Sequence, residues 1–251
     1  MKDILLDIIT HTHSLGVLPM LRLDIDDDSN LQICSNSDDK ATCIMLANMH
    51  QPVPEFSAGS TIGMSNLEKV NLLLKNPEYE KDGVITVLNG TTQNGVDVSR
   101  TIHFKNASGD FQNEYRLVSP QIIEAKYTVP VFKGANWECE FTPSLAAISR
   151  MKLMTSLHNE ENLVQIGTKE TGGKHDLYLS WGDANTHAGE YVFQEDVGSE
   201  IKFNSYISEI LLKVLSLTGD ITMSVTGNGL LKFRIDTGLG EYEYYFPAQA
   251  K

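Results

Sequence analysis

The sequence predicts an α+β protein built from two similar halves, each with two helices packed on antiparallel β-sheets. Three observations predict it. Four segments have helical period and recognisable starts. The stretches between them alternate with period two or are punctuated by Gly, Asn and Asp, as strands and turns are. The four helices also begin at matching intervals.

The first helix runs from Lys2 to Leu15, with Ile4, Leu5, Ile8, Ile9 and Thr12 forming its inward stripe. The second opens on Ser65 and Glu68, spaced as a capping box, and continues to Asn76 before Pro77 stops it. The third takes Thr142 as N-cap and Pro143 as first helical residue, and reaches Leu157. The fourth starts near Asn204, buries Ile207, Ile210, Leu211 and Val214, and ends before Gly219. First to second start is 63 residues and third to fourth is 62; first to third is 140 and second to fourth 139. The chain therefore reads as one helix-sheet-helix-sheet plan repeated once, with little side-chain identity between the copies.

The chain's last stretch, GLLKFRIDTGLGEYEYYFPAQ from Gly229 to Gln249, is a predicted β-hairpin. Leu231, Phe233 and Ile235 alternate with polar residues, Gly238 and Gly240 supply the turn, and Tyr242, Tyr244 and Phe246 alternate again before Pro247. This segment resembles the C-terminal hairpin of the DNA sliding clamps, the family of proliferating cell nuclear antigen and the phage clamps. CSNSDDKATCIML from Cys34 to Leu46, the SNLEKVNLLLKN helix, and LVQIGTKETGGKHDLYLSW from Leu163 to Trp181 extend the resemblance over nearly the whole chain. It implies the DNA-clamp fold: domain 1 over residues 1–118, a connector over 119–136 and domain 2 over 137–251. Pro120 and Pro130 are expected to keep the connector extended. The first strand of the cellular clamps, ahead of helix one, has no match, and this short start looks more like the phage clamps.

The 251 residues suffice for two ordinary domains, with 41% hydrophobic and 21% charged residues. No apolar run approaches the ~20 residues of a membrane span. Asp3 and Asp7 break up any signal-peptide pattern at the start. Cys34, Cys43 and Cys139 form no CxxC pair and read as reduced thiols of a cytoplasmic protein, the host cytoplasm if phage-encoded.

A net charge of −13 argues against nucleic acid until its distribution is considered. Lys2, Lys69, Lys75, Arg150, Lys152, Lys202 and Lys213 lie on the four helices or at their entry, against only Asp3, Asp7, Glu68 and Glu209. The third helix has no acid at all, and Ser149, Lys152 and Ser156 lie opposite Ala147, Met151 and Met154. A clamp needs this separation: cationic helices facing phosphates and an outer β surface that repels other polyanions. Solvated helix faces also carry Lys and Arg for solubility alone, so the seven cations are DNA-facing only on the strength of the resemblance.

Other constellations fall away. Asp24, Asp26 and Asp28 mimic a calcium loop, but Ser29 and Ser35 stand where Gly and Glu are required, so a solvated turn is expected. His11 and His13, two apart on a helix, point to different faces. Gly172-Gly173 reads as a hairpin turn, and His175-Asp176 has no nucleophile context. No catalytic residue, metal or cofactor is expected.

The resemblance further implies a hydrophobic groove for short peptides. One wall is Lys40, Ala41 and Cys43, the roof Ile122, Val129 and Pro130, and the far wall Tyr245, Phe246, Pro247 and Ala248. Tyr245 and Phe246 fit equally as core at the end of the last strand. Edge strands at Gln112–Val118 (Asn113, Tyr115, Leu117) and Lys174–Trp181 (His175, Leu177, Leu179, Trp181) are expected to join subunits head to tail in a homotrimeric ring. The function implied is that of a non-catalytic processivity factor that encircles duplex DNA and tethers a polymerase. An ATP-driven clamp loader would be a separate partner, since the chain has no P-loop. A duplicated β-rich virion or tail protein is the alternative of another class, and a hydrolase with dispersed catalytic residues is the third.

Overall fold

The computed structural model describes residues 1–39, 41–91, 95, 97–127, 134–183 and 185–250. They fall into two compact units: Met1–Asp38, Met45–Pro130 and Thr237–Tyr242 form the first, and Asp39–Ile44, Val131–Asp236 and Glu243–Lys251 the second.

In chain order the first unit contains α1 (Lys2–Thr12), β1 (Met20–Ile25), β2 (Leu31–Asn36), β3 (Ile44–Met49) and β4 (Ser60–Ser65). It continues with α2 (Leu67–Leu74), β5 (Val84–Thr91), β6 (Asp97–Lys105), β7 (Gln112–Arg116) and α3 (Pro120–Lys126). The second contains β8 (Cys139–Phe141), α4 (Leu145–Leu157), β9 (Leu163–Thr171), β10 (Lys174–Trp181), β11 (Gly189–Gln194) and β12 (Asn204–Ile207). Then come α5 (Ser208–Leu215), β13 (Asp220–Val225), β14 (Leu230–Asp236) and β15 (Gly240–Pro247), of which residues 240–242 are grouped with the first unit.

The duplication is visible in strand order. Strands β4-β1-β2-β3 are neighbours in the first unit and β12-β9-β10-β11 in the second; β5-β6-β7 corresponds to β13-β14-β15. Isolated bridges recur in the same places too, Gly63 with Val118 and Ser205 with Gln249, each just ahead of a helix. Among the described residues one strand has no counterpart. β8 pairs with the outer side of β13, whereas among the described residues β5 is an edge.

The observed starts of α1, α2, α4 and α5 are residues 2, 67, 145 and 208, giving intervals of 65 and 63 within the halves. The duplication stands, although three of the starts differ from expectation. Ser65 is the last residue of β4, opposite Met20 in the ladder, so capping passes to Asn66, whose side chain accepts from the Lys69 amide. At α4 the cap is Ser144, which accepts from the Ala147 amide, and Pro143 lies outside the helix. Residues 204–207 pair with β9 before α5 begins. The connector also corrects the expectation of an extended chain: Pro120 occupies the first turn of α3, where its missing N–H costs nothing.

Each unit buries its own core. Leu5, Ile8 and Ile9 of α1, Val70 of α2, and Leu21, Leu23 and Phe104 are buried in the first. Met151, Val164, Leu177, Trp181, Leu211 and Phe233 are buried in the second. All three cysteines are free and buried. Burial pushes the Cys34 and Cys139 thiols up to about 11, and raises Cys43 as well.

Candidate nucleic-acid interface

Within the first unit α1 packs beside α2, and within the second α4 packs beside α5. Each pair turns one face to its sheets and the other to solvent. Lys69 and Lys75 of the first pair, and Arg150 and Lys152 of the second, are exposed. Among the described residues none of these four forms an ion pair. Lys2 and Lys213 are engaged instead: the Lys2 ammonium donates to the Tyr79 carbonyl at 3.0 Å, and Lys213 lies 2.9 Å from Glu209 one turn earlier. Lys202 is exposed but precedes β12, so it is not at the entry to the helix. Glu68 is bound to His13, Nε2 to Oε2 at 2.5 Å, which withdraws one of the two exposed acids from the α1–α2 surface.

The α4 surface is the most distinctive. Ser149, Lys152 and Ser156 are exposed and Ala147 and Met151 buried, as the spacing predicts. Sequence reading missed that Leu145, Leu153 and Leu157 are also exposed, at 83%, 60% and 61%. The signal was available: apolar residues occur on all sides of this helix instead of forming one stripe. Arg150 and Lys152 thus stand among leucines and serines, a surface that attracts polyanions with few hydrogen-bonding groups to hold them in one register.

The expected groove is only partly assembled. Lys40, Val129 and Pro130 lie outside the described residues. In the second unit Ala41 is exposed and its carbonyl accepts from Gln249 Nε2 at 3.3 Å. Cys43 is fully buried. Tyr245 and Phe246 are buried too: Phe246 packs edge-on against Phe233, and the Tyr245 hydroxyl donates to Glu243 Oε2 at 2.6 Å. These two aromatic residues are core, leaving Pro247 and Ala248 at the surface. In the first unit Ile122 projects from α3 into solvent, while its neighbour Ile123 packs on Gly63.

Of the two strands expected at subunit edges, one lies at the edge of its sheet and the other does not. β7 is an edge of its sheet. Its Tyr115 and the following Leu117 are buried, and Asn113 Nδ2 donates to the Tyr79 hydroxyl at 2.7 Å. β10 is no edge: it lies between β9 and β11, and Leu177, Leu179 and Trp181 are buried as central-strand residues are. His175 takes part in the ladder opposite Glu170. β11, one strand further on, is an edge of this sheet, and β12 is the other.

The rejected constellations are structural. Asp26 accepts from the amides of Asp28 and Asn30 and from Asn30 Nδ2, bonds that depress its pKa and close the turn. Asp24 is held by Arg22 and Thr61. Gly172 and Gly173, both with positive φ, join β9 to β10. Among the described residues no group of three His, Cys, Asp or Glu could hold a metal ion, and no helix is long and apolar enough to cross a membrane.

The architecture defines a class of fold. The whole chain is similar to the PCNA sliding clamps, and the solved structures it matches make the likeness specific. A structure of the C-terminal region of FEN-1 bound to A. fulgidus PCNA matches with a TM-score of 0.68 at 10% identity, over 100% of this chain and 97% of that one. PCNA from Entamoeba histolytica matches at 0.68 and 11%, over 98% and 96%. A PCNA2–PCNA3 complex from Sulfolobus tokodaii matches at 0.62 and 15%, over 100% and 97%. No protein-family model and no curated protein matches the sequence. The chain has the two-domain clamp fold, at identities where the likeness is one of fold.

Proposed function

We propose that this chain is a DNA sliding clamp, a non-catalytic ring that encircles duplex DNA and tethers a polymerase. The observation that carries the proposal is end-to-end coverage: both duplicated units match clamps from three organisms, with the helix pairs and sheets all included. Clamp domains over 1–118 and 137–251, joined through 119–136, are part of the same reading. Tethering raises the polymerase's effective concentration at the primer end without new catalytic chemistry.

The DNA-facing residues of this reading are Lys69, Lys75, Arg150 and Lys152, with Lys2, Lys202 and Lys213 contributing to the field behind them. Four exposed cations facing DNA favour a loose hold, because each neutralised phosphate contributes about 0.9 to the salt slope of binding. One neighbour is bound to a segment of FEN-1 and another is a complex of two clamp chains. By analogy this chain has a peptide site near Ala41, Ile122, Pro247 and Ala248, to which a polymerase and an ATP-driven loader would bind. By the same analogy it assembles through edge strands, and β7 with β11 of the next subunit is the pairing we favour. Head-to-tail contacts of this kind close into a ring, here a homotrimer in the cytoplasm.

Light scattering over a dilution series tests the assembly. The expected result is a species near three times 27.9 kDa that dissociates on dilution. A monomer at every concentration would remove the ring as a property of the chain alone. No specific observation favours a virion protein or a hydrolase.

A further inference from the structure

The two units differ at one edge, and that difference carries a prediction about binding. In the second unit β8 lies antiparallel on β13, pairing Cys139 with Val225, Glu140 with Ser224 and Phe141 with Met223. Glu140 Oε2 also accepts from the Ser224 hydroxyl at 2.9 Å. Cys139 is buried, Glu140 exposed and Phe141 half-buried, the alternation of a strand that covers an edge. The equivalent edge in the first unit belongs to β5, and no described strand lies on it.

Among the described strands β5 is the longest edge without charge or proline; β4 and β12, also uncharged, are shorter, and each is bridged on its outer side, at Gly63–Val118 and Ser205–Gln249. Natural edges are blunted by charge, proline or short length. β7 carries Glu114 and Arg116, β11 carries Glu190, and β8 is only three residues long. β5 is eight residues long, Val84-Ile-Thr-Val-Leu-Asn-Gly-Thr91, with no charge and no proline. Its only interruption is a register shift at Leu88/Asn89 against β6. Val84 and Leu88, two turns of the pleat apart on one face, are 54% and 44% exposed. Along such an edge alternate residues present unpaired N–H and C=O groups.

We propose that the outer edge of β5 is a strand-acceptor site. It takes an extended segment of a partner protein, antiparallel, with apolar side chains at alternate positions, standing on β5 as β8 stands on β13. Backbone hydrogen bonds supply affinity, and Val84 and Leu88 select apolar over charged side chains facing them. The site does not depend on ring assembly, since neither β7 nor β11 takes part.

The probe is a synthetic peptide of this chain's own residues 137–143, WECEFTP, read by amide hydrogen exchange on the intact protein. At about 1 mM peptide, alternate amides within 84–91 are expected to slow by about tenfold, and the double variant V84K/L88K to lose the effect. No slowing, or equal slowing in the variant, would overturn the site. A second variant carries a copy of residues 137–144 fused ahead of Lys2, so the strand is supplied at high effective concentration. Slower exchange across β5 is expected there, and unchanged exchange would also overturn the proposal. A mass that doubles with concentration in the protein alone, and not in V84K/L88K, would make a second copy the occupant and overturn the assignment to a partner protein.

Discussion

α1 and α4 hold equivalent places in the two units, yet they are built for opposite ends. α1 is anchored by polar groups. The Asp7 carboxylate accepts from the Tyr242 hydroxyl at 2.8 Å and the Thr237 hydroxyl at 3.0 Å, and lies 3.3 Å from His11 Nδ1. His11 in turn stacks on Tyr242 at 4.7 Å. Even its N-terminal cation, Lys2, is tied to a carbonyl. α4 buries little besides Ala147 and Met151, and turns Leu145, Arg150, Lys152 and Leu153 to solvent. One helix fixes its unit, and the other offers a surface. A duplicated fold can thus keep its backbone plan while dividing stability and recognition between the copies.

The largest effect should come from the α1 anchor. Asp7→Ala removes the acceptor of buried donors, each worth about 1–3 kcal/mol when left unsatisfied, so a loss of about 3 kcal/mol in denaturant unfolding is expected. The same network sets a pH dependence. Burial by itself would raise the Asp7 pKa, but hydrogen bonds from His11, Tyr242 and Thr237 together with the His11 charge outweigh it, and the pKa is lowered. A carboxylate with a depressed folded-state pKa stabilises above its unfolded value near 4 and loses that contribution as pH falls through the folded value. Wild type should therefore lose stability more steeply below about pH 4 than Asp7→Asn does. Parallel acid limbs would show that the network does not anchor α1.

The anchor was not legible in the sequence, and the reason is distance. Asp7 and Tyr242 are 235 residues apart, and nothing in helical period or strand alternation links them. What was legible was local or periodic: four helices, the terminal hairpin, the Gly172-Gly173 turn and the doubled interval. Errors arose where two local signals competed. Ser65 has the right spacing for a cap but is spent in the β4 ladder. Asn204–Ile207 fits a helical stripe but pairs with β9. The edge position expected of β10 comes from the family resemblance, whereas full burial of Leu177 and Trp181 belongs to a central strand. The exposed cations of the candidate interface were legible, and the leucines among them were not, since an apolar residue in a helix is expected to face inward.

An intermediate effect is expected where α4 begins. Ser144 Oγ accepts from the Ala147 amide at 3.1 Å, and no acid in the first turn assists it. α1 has no side-chain cap and does not need one, given the Asp7 network. Ser144→Ala should cost about 1 kcal/mol, and Ser144→Asp should restore the cap and add a favourable dipole interaction. Equal stability of the two variants would mean that α4 is held by its packed face and not by its end.

The smallest effect on stability should accompany the largest effect on function. Arg150 and Lys152 are exposed, so R150E/K152E should shift unfolding by no more than about 0.5 kcal/mol. If α4 faces DNA, the same pair should lower the salt slope of DNA binding by about 1.8, two phosphates at about 0.9 each. The matched control is Lys2→Gln in α1. Its ammonium is already bound to Tyr79, so it should change stability measurably and the salt slope little. A salt slope that responds to Lys2 and ignores Arg150 and Lys152 would reverse the division of labour between the two helices. It would place the DNA-facing surface on the anchored helix and leave the leucine-rich face of α4 for a protein partner.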